Sequence, residues 1–498
     1  MKKPVNDPFL SYMLTHSEEE RALLHGFFEK LPLHLDLGRE QNARMIRDFE
    51  EAFLSYEALG VPLAEALRRL EPANLQGFFA RETTAWYPLD SAAKVYPLTM
   101  GHGKMAVFRL AVQLKSPIEP ALLQMALHFT LPRFPGFAVT LKKGFFWHYL
   151  DAWKGCYPVY ADDRPPCRAM KLGRTGTTAF RVLYHGSRLS CEFFHVLTDG
   201  TGGMVFLKTL TAEYLRLLGK DSSAEQGVLD LKELPREEEY ANEFPRVLRG
   251  KSKGGFADRG ALQLGGRLSR VNPCRILHFK MDADKLLSLA KSRGCTVTAY
   301  LSSRLICACR SAMELQKGDI SVQIPVNMRK FYPSPTLRNF SLYCGIRIPA
   351  GQASEPDKLL PEILRQMEEK AGQESMGRMV ASTESLVQMA RYLPLKLKGP
   401  VVQAVYGVLG DRIFTTTLSN LGVVRFPEEI AGEVMGLDFV LGTARVNRAL
   451  CGLVTYGNVA NFSIAKQTKD PTLEETLLRL LEADGLSVRV EGSQVYAY

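Results

Sequence analysis

The sequence contains no uninterrupted apolar stretch of about 18 residues, the minimum length of a membrane-spanning helix. Its first residues, MKKPVNDPFLSYMLTH, carry two lysines but no sustained apolar segment and no small-residue cleavage site, which argues against a secretory signal peptide. We therefore expect a protein with no transmembrane segment.

Cysteine is present, but without the spacing that metal sites require. The nine cysteines are scattered, and the closest pair, Cys307 and Cys309, is separated by one residue. No CxxC and no Cys/His ligand pattern occurs, so no zinc site is predicted. The odd number and the scatter are typical of free thiols in a reducing compartment. The sequence therefore predicts a cytoplasmic protein that binds no metal.

Dense basic blocks with interleaved aromatic residues are also missing, which disfavours nucleic acid as a partner. Lysine and arginine together number 63 against 53 acidic residues, a formal net charge of +10. This moderate excess suits an anionic small ligand, such as a nucleotide-bearing cofactor, or an anionic surface.

The length of 498 residues exceeds what one hydrophobic core usually serves, so two main domains are expected. Residues 1–80 have helical periodicity, as in HSEEERALLHGFFEKL. Residues 81–225 and 271–498 each mix strand-like and helix-like segments. Residues 226–270 are charged and glycine-rich, which is typical of a connecting segment. The predicted fold class is α/β: two comparable halves of sheet and helices, with a helical N-terminal extension.

Two further segments have apolar faces that need a partner. The sequence from Leu393 to Gly410 is apolar but interrupted by Lys396, Lys398 and Pro400. It predicts a helix or helical hairpin packed on a core, with an interfacial segment as the alternative. The amphipathic extension could pack on the body, on a second copy of the chain or on a membrane. Its mixed charges disfavour an anionic bilayer, so we expect it to pack on the body.

The segment FFHVLTDGTGG (193–203) is the strongest candidate for a functional site. It follows an alternating strand, so Phe193 and His195 share one face. A histidine at a strand end can be held rigidly and still reach solvent, and its ordinary pKa suits proton transfer. Asp199 could fix the following turn or pair with a cation, and Gly200 would permit unusual backbone angles. The alternative is that His195 is simply a buried, hydrogen-bonded histidine.

This segment resembles the HxxxDG motif of the CoA-dependent acyltransferase superfamily, which includes chloramphenicol acetyltransferase, peptide-synthetase condensation domains and alcohol acetyltransferases. Four other segments resemble the superfamily in the same order. They are YPLDSAAKVYPLT (87–99), FRLAVQLKSPIEPALLQMALHFTLPRFP (108–135), IPVNMRKFYPSPTLRNFS (324–341) and TTTLSNLGVVRFP (415–427). The resemblance implies two chloramphenicol-acetyltransferase-like subdomains with an active-site channel between them. It does not cover the helical extension, which we expect to shape one mouth of that channel.

The resemblance also implies roles for particular residues. His195 matches the general base, which deprotonates the acceptor before it attacks the thioester carbonyl. Asp199 matches a structural aspartate that pairs with an arginine, and Arg329 is the matching candidate. Gly200 matches the turn glycine of the motif. Ser419 and Asn420 match positions where the superfamily places polar groups near the thioester or the oxyanion. The alternative is that these two residues only form a turn that closes a strand.

The function implied is transfer of an acyl group, with acetyl expected, from acyl-CoA as cosubstrate to an alcohol or amine. Many condensation domains have a second histidine where this chain has Phe194. This difference disfavours a condensation function more than it disfavours acyl transfer. One alternative is condensation-type transfer from a carrier-protein phosphopantetheine thioester, with the carrier acting in trans. The other is a non-catalytic binding protein of the same fold.

Overall fold

The computed structural model describes residues 7–35, 37–75, 86–99, 105–153, 155–170, 178–247, 259–315, 317–398, 411–443 and 447–495. The helices in these ranges are α1 Pro8–Thr15, α2 Glu18–Lys30, α3 Arg39–Ala58, α4 Leu63–Arg69, α5 Val95–Thr99, α6 Pro120–Thr130, α7 Gly200–Leu217, α8 Phe244–Val247, α9 Ala283–Ser292, α10 Val297–Ser311, α11 Pro356–Ala371, α12 Gln373–Ala390, α13 Glu428–Ala431 and α14 Thr472–Ala483. The strands are β1 Trp86–Pro88, β2 Val107–Leu114, β3 Val139–Lys143, β4 His148–Ala152, β5 Val159–Ala161, β6 Phe180–His185, β7 Arg188–Phe194, β8 Arg275–Asp282, β9 Asp319–Asn327, β10 Ser341–Pro349, β11 Thr416–Val424, β12 Val434–Leu441, β13 Ala449–Tyr456, β14 Val459–Lys466 and β15 Arg489–Val495.

The N-terminal half is built on a sheet whose described strands run in the order β12-β2-β7-β6-β5. Helices α6 and α7 cover one face of this sheet, and strands β2 and β7 are buried along nearly their whole length on both faces. A smaller sheet, β1-β4-β3, lies beside it. Strand β12 comes from the C-terminal half of the sequence and pairs antiparallel with β2. Because β12 adds a strand from the C-terminal half to the N-terminal sheet, this pairing connects the two halves.

The C-terminal half is built on a sheet whose described strands run in the order β10-β9-β11-β13-β14-β8-β15. Helices α9, α10, α11 and α14 cover one face and enclose the second hydrophobic core. The other face packs on β12 through β13 and β14. Two helix-covered sheets plus a helical N-terminal region confirm the predicted α/β class.

The helical extension packs on the helix layer of the N-terminal half. Asp48 lies 2.7 Å from His128 on α6, and the hydroxyl of Tyr56 donates to the carbonyl oxygen of Leu217 at 2.8 Å. Leu217 is the last residue of α7, roughly 27 Å from Asp199 by the rise of an α-helix. These contacts are remote from the HxxxDG segment, so they do not support the expected role at a channel mouth.

Two sequence expectations concern membranes and thiols. No helix in the described ranges is long and apolar enough to cross a membrane. Of the apolar segment from Leu393 to Gly410, residues 399–410 lie outside the described residues. Residues 393–397 of this segment are exposed or half-buried rather than packed on a core.

All nine cysteines are free, and only Cys295 is not buried.

Candidate active site

His195 directly follows β7, the strand that pairs with β2 on one side and β6 on the other. Its backbone N–H donates to the carbonyl oxygen of Ala106 at 2.7 Å, which extends the pairing with the β2 side by one step. The imidazole is half-buried between two rings. Tyr96 stacks on it at 5.0 Å between centroids, and Phe108 meets it edge-on at 5.3 Å. The sheet and these two rings therefore fix the plane of the imidazole.

A buried amide contacts the inner nitrogen of this ring. His195 Nδ1 lies 2.8 Å from Asn339 Oδ1, and Asn339 Nδ2 donates to Asp90 Oδ2 at 3.2 Å. Asn339 thus turns its NH₂ to Asp90 and its carbonyl oxygen to His195. That oxygen needs a donor, so Nδ1 carries the hydrogen of the neutral ring. The lone pair is then on Nε2, as a general base requires.

Asp90 anchors this chain of hydrogen bonds from a fully buried position. The pKa of Asp90 is raised, because burial outweighs Arg338, the backbone N–H of Ala93 and Asn339, which favour the ionised form. Arg338 Nη2 lies 3.7 Å from Asp90 Oδ2, and burial lowers the pKa of Arg338. The hydrogen bond to Asp90 holds the amide of Asn339 in its orientation.

Both carboxylate oxygens of Asp199 accept hydrogen bonds from neighbouring protein groups. Oδ1 accepts from the backbone N–H groups of Thr201 and Gly202, both at 3.1 Å, and so caps the N-terminus of α7. Oδ2 accepts from Arg329 Nη1 at 2.7 Å and from the backbone N–H of Phe340 at 2.8 Å. With four donors on its two oxygens, this carboxylate fixes the backbone on both sides of it.

Arg329 connects Asp199 to the C-terminal half. It lies in a short 3-10 helix directly after β9, and Asn327 caps that turn. Its guanidinium also donates to the carbonyl oxygens of Thr336, at 2.8 Å, and Arg338, at 2.7 Å. The structure thus brings together Asp199 and Arg329, and the same guanidinium fixes the irregular segment before β10 that carries Asn339.

The expectation that Gly200 supplies an unusual backbone angle is wrong. Gly200 is the first residue of α7 and does not have a positive φ. A Cβ at Gly200 would contact only the flexible tip of the Leu421 side chain. The demanding position is Gly202, where a Cβ would overlap the carbonyl oxygen of Leu337. Close approach of two backbones, rather than a left-handed turn, explains Gly202.

Ser419 and Asn420 lie in the middle of β11, directly before a shift in its register with β13. Leu418 is in the core under the helices, so by alternation Ser419 faces the side of the N-terminal half. Asn420 Oδ1 accepts from the backbone N–H of Gly422 at 2.8 Å, and its Nδ2 donates to Thr298 at 3.0 Å. Gly422 has φ +76°, so the Asn420 side chain closes a turn.

Sequence reasoning missed Asn339, Asp90 and Tyr96. All three lie in segments that resemble the superfamily, YPLDSAAKVYPLT and IPVNMRKFYPSPTLRNFS. Nothing in the spacing of residues 90, 195 and 339 indicates that they meet, because each comes from a separate part of the chain. The only available signal was polar side chains, Asp90 and Asn339, within otherwise apolar surroundings.

No family model matches the sequence, and no curated protein matches it. Solved structures do match. TRI101 of F. sporotrichioides, complexed with coenzyme A and T-2, is 12% identical with a TM-score of 0.54, over 83% of this chain and 100% of that chain. TRI3 trichothecene 15-O-acetyltransferase from Fusarium sporotrichioides is 12% identical with a TM-score of 0.52, over 80% and 94%.

A third similar structure is the first condensation domain of the calcium-dependent antibiotic synthetase, in complex with a substrate analogue. It is 12% identical with a TM-score of 0.53, over 82% of this chain and 100% of that chain. At this identity the likeness concerns the fold. This chain therefore has the fold of the superfamily to which CoA-dependent acyltransferases and condensation domains belong.

Proposed function

We propose that this protein transfers an acyl group, such as acetyl, from acyl-CoA to an alcohol or amine, with His195 as the general base. The observation that carries the proposal is the hydrogen-bonded chain from Asp90 through Asn339 to His195 Nδ1. It leaves Nε2 of a half-buried histidine as a base at the junction of the two halves. A general base needs its ring held in one tautomer with a free lone pair, and this buried, oriented chain supplies that.

The proposed reaction has two proton transfers and no covalent enzyme intermediate. Nε2 of His195 takes the proton of the acceptor hydroxyl or amine as its oxygen or nitrogen attacks the thioester carbonyl carbon. The resulting imidazolium donates from Nδ1 to Asn339, whose amide donates in turn to Asp90. The tetrahedral intermediate collapses with cleavage of the C–S bond, and the thiolate of CoA takes the proton back from Nε2. Ser419, on the face towards the N-terminal half, is the candidate contact for the oxyanion, since Asn420 closes its own turn.

The acyl donor is proposed from the charge of the chain and from its similar structures. The formal net charge of +10 suits the phosphates of CoA. TRI101 has the same fold, and its structure is a complex with coenzyme A. A carrier-protein donor would present the same phosphopantetheine thioester without the adenosine phosphates. The two donors therefore differ in the charge that they bring to the channel mouth.

Binding of acetyl-CoA should stabilise the protein. At 100 times its Kd, a ligand that binds only the folded state adds about 2.7 kcal/mol to the free energy of unfolding, which raises Tm. The rise should shrink with added salt, because exposed charges on cofactor and protein are screened. Thermal melts with acetyl-CoA, with acetyl-pantetheine and with neither, at two salt concentrations, measure this.

The same ligands should be tested for turnover with a thiol reagent over a panel of alcohols and amines. Turnover of acetyl-CoA that exceeds turnover of acetyl-pantetheine supports the proposal. Equal use of both donors, with no dependence on salt, would indicate that the natural donor is a thioester on a carrier protein. Binding of acetyl-CoA without turnover of any acceptor would leave a binding protein of the same fold.

Replacing Asn339 by leucine should weaken the base without removing it. The lost acceptor for Nδ1–H corresponds to about 1 kcal/mol, or roughly a fivefold fall in kcat. Asn339→Asp should instead place a carboxylate at Nδ1, which favours the imidazolium and moves the acidic limb of the pH profile of kcat/KM to higher pH. Asn461→Leu is the control, because Asn461 is also buried but bonds to Leu437 and Asp438. It should lower Tm and leave the pH profile unchanged. A pH profile that is the same in Asn339→Asp as in the wild type would contradict the assigned role.

A further inference from the structure

Two exposed segments meet on one side of the molecule: the turn between β3 and β4, and the chain after α12. The backbone N–H of Leu395 donates to the carbonyl oxygen of Phe145 at 2.8 Å. The amine of Lys398 donates to the carbonyl oxygen of Phe146 at 2.7 Å and lies 3.5 Å from the centre of the Trp147 ring. These contacts join residues 142–147 and 389–398 into one surface, which we call the apolar–basic surface.

Large apolar side chains project from the apolar–basic surface into solvent. Met389 is 74% exposed, Phe145 72%, Tyr392 70% and Leu397 56%. The ring of Phe146 meets Phe145 edge-on at 4.7 Å and is itself exposed. Single exposed apolar side chains are ordinary, but several on adjoining segments mark an interaction surface.

The same surface is positively charged. Its two segments, KKGFFW (142–147) and MARYLPLKLK (389–398), contain lysine and arginine but no aspartate or glutamate. Lys143 and Lys396 are exposed, and Arg391 lies over the ring of Tyr392 at 4.3 Å. Asp151, on the neighbouring strand, pairs with Lys142. Cations thus stand among the projecting rings, with little acidic charge to offset them.

We propose that the apolar–basic surface docks the protein on an anionic lipid bilayer. At a membrane–water interface, aromatic and aliphatic side chains enter the region between headgroups and acyl chains, while lysine and arginine contact the lipid phosphates. A bilayer deforms around separate projecting side chains. A protein partner would instead need a matching pocket for each of them.

The apolar–basic surface contacts a segment that also contributes to the candidate active site. The amine of Lys94 lies 5.5 Å from the centre of the ring of Trp147, a residue of that surface. Lys94 is in the same short segment as Asp90 and Tyr96, which contact Asn339 and His195 respectively. The apolar–basic surface and the His195 network are therefore connected through one short stretch of chain.

Vesicle co-sedimentation of the full chain tests this proposal without any substrate, so its outcome is independent of the proposed acyl transfer. We expect binding to vesicles of phosphatidylcholine with phosphatidylglycerol, and at least tenfold weaker binding to phosphatidylcholine alone. Lys143→Glu with Lys396→Glu should weaken binding at least about 25-fold, since each basic residue near the surface accounts for roughly fivefold. Phe145→Ala with Tyr392→Ala should weaken it about tenfold or more by removing buried apolar area.

Matched controls change the same residue types elsewhere on the surface. Leu14→Ala with Leu33→Ala removes two exposed apolar side chains, and Lys291→Glu with Lys317→Glu reverses two exposed charges. Both should bind vesicles like the wild type, and all variants should keep the wild-type Tm because the altered side chains are exposed.

Three results would overturn the proposal. One is no binding to anionic vesicles, and another is binding that the apolar–basic variants leave unchanged. The third is self-association, or binding of an acidic carrier protein, that the Phe145→Ala and Tyr392→Ala pair abolishes while vesicles are not bound. That result would assign the surface to a protein partner.

Discussion

His195→Ala should lower kcat for acyl transfer by roughly 10²–10⁴-fold, the usual effect of removing a general base. The loss should lie in kcat more than in KM, because the imidazole acts on the proton that moves in the transition state. Folding should be little changed, since the backbone N–H of residue 195 keeps its bond to Ala106. Steady-state kinetics and a thermal melt of the purified variant measure both effects.

His185→Ala is the matched control for this experiment. His185 lies on the same hairpin, at the end of β6, but it is exposed and faces the turn. Its replacement should leave kcat and Tm unchanged. If His195→Ala keeps nearly full activity, His195 is not the base, and the Asp90–Asn339 chain has only a structural role.

The local features of the N-terminal half could be predicted from the sequence because short-range rules decide them. The β6–β7 hairpin turns at Gly186 and Ser187, with a positive φ at Gly186, and glycine in a two-residue link between two strand-like runs is a local signal for such a turn. Helix α7 begins after Asp199 and ends just before Gly219, whose φ of +88° is typical of a helix C-terminus. Each of these features depends only on residues that are close together in the sequence.

Features that depend on distant parts of the chain could not be predicted in this way. The contact between His195 and Asn339 spans 144 positions, and the one between Asn339 and Asp90 spans 249. The pairing of β12 with β2 moves a C-terminal strand into the N-terminal sheet, which no local pattern indicates. The apolar faces of the extension predicted that it needs a partner, but not which end of α7 it covers.

The Asp199–Arg329 pair should be strongly coupled in stability. Removing one partner of a buried ion pair leaves the other charge uncompensated, at a cost of about 3–5 kcal/mol in the free energy of unfolding. Asp199→Ala should cost more than Arg329→Ala, because it also removes the cap of α7, which contributes about 0.5–2 kcal/mol. Both variants should also lose activity, since Arg329 fixes the segment that carries Asn339. Denaturant unfolding of each variant measures the cost.

The double variant distinguishes pairing from two independent losses. With both charges removed, neither is left buried alone, so the double variant should cost less than the sum of the two single changes. The exposed pair Glu362–Arg365 on α11, 2.7 Å apart, is the control and should show little coupling, because solvent screens it. Asp199→Asn adds a second comparison, because its amide oxygen can still cap α7 while it no longer offsets the charge of Arg329. Its cost should therefore fall below that of Asp199→Ala by about the contribution of the cap. Additive losses at Asp199 and Arg329 would mean that the cap and the contacts of Arg329 with backbone carbonyls, rather than the ion pair, hold the two halves together at this site.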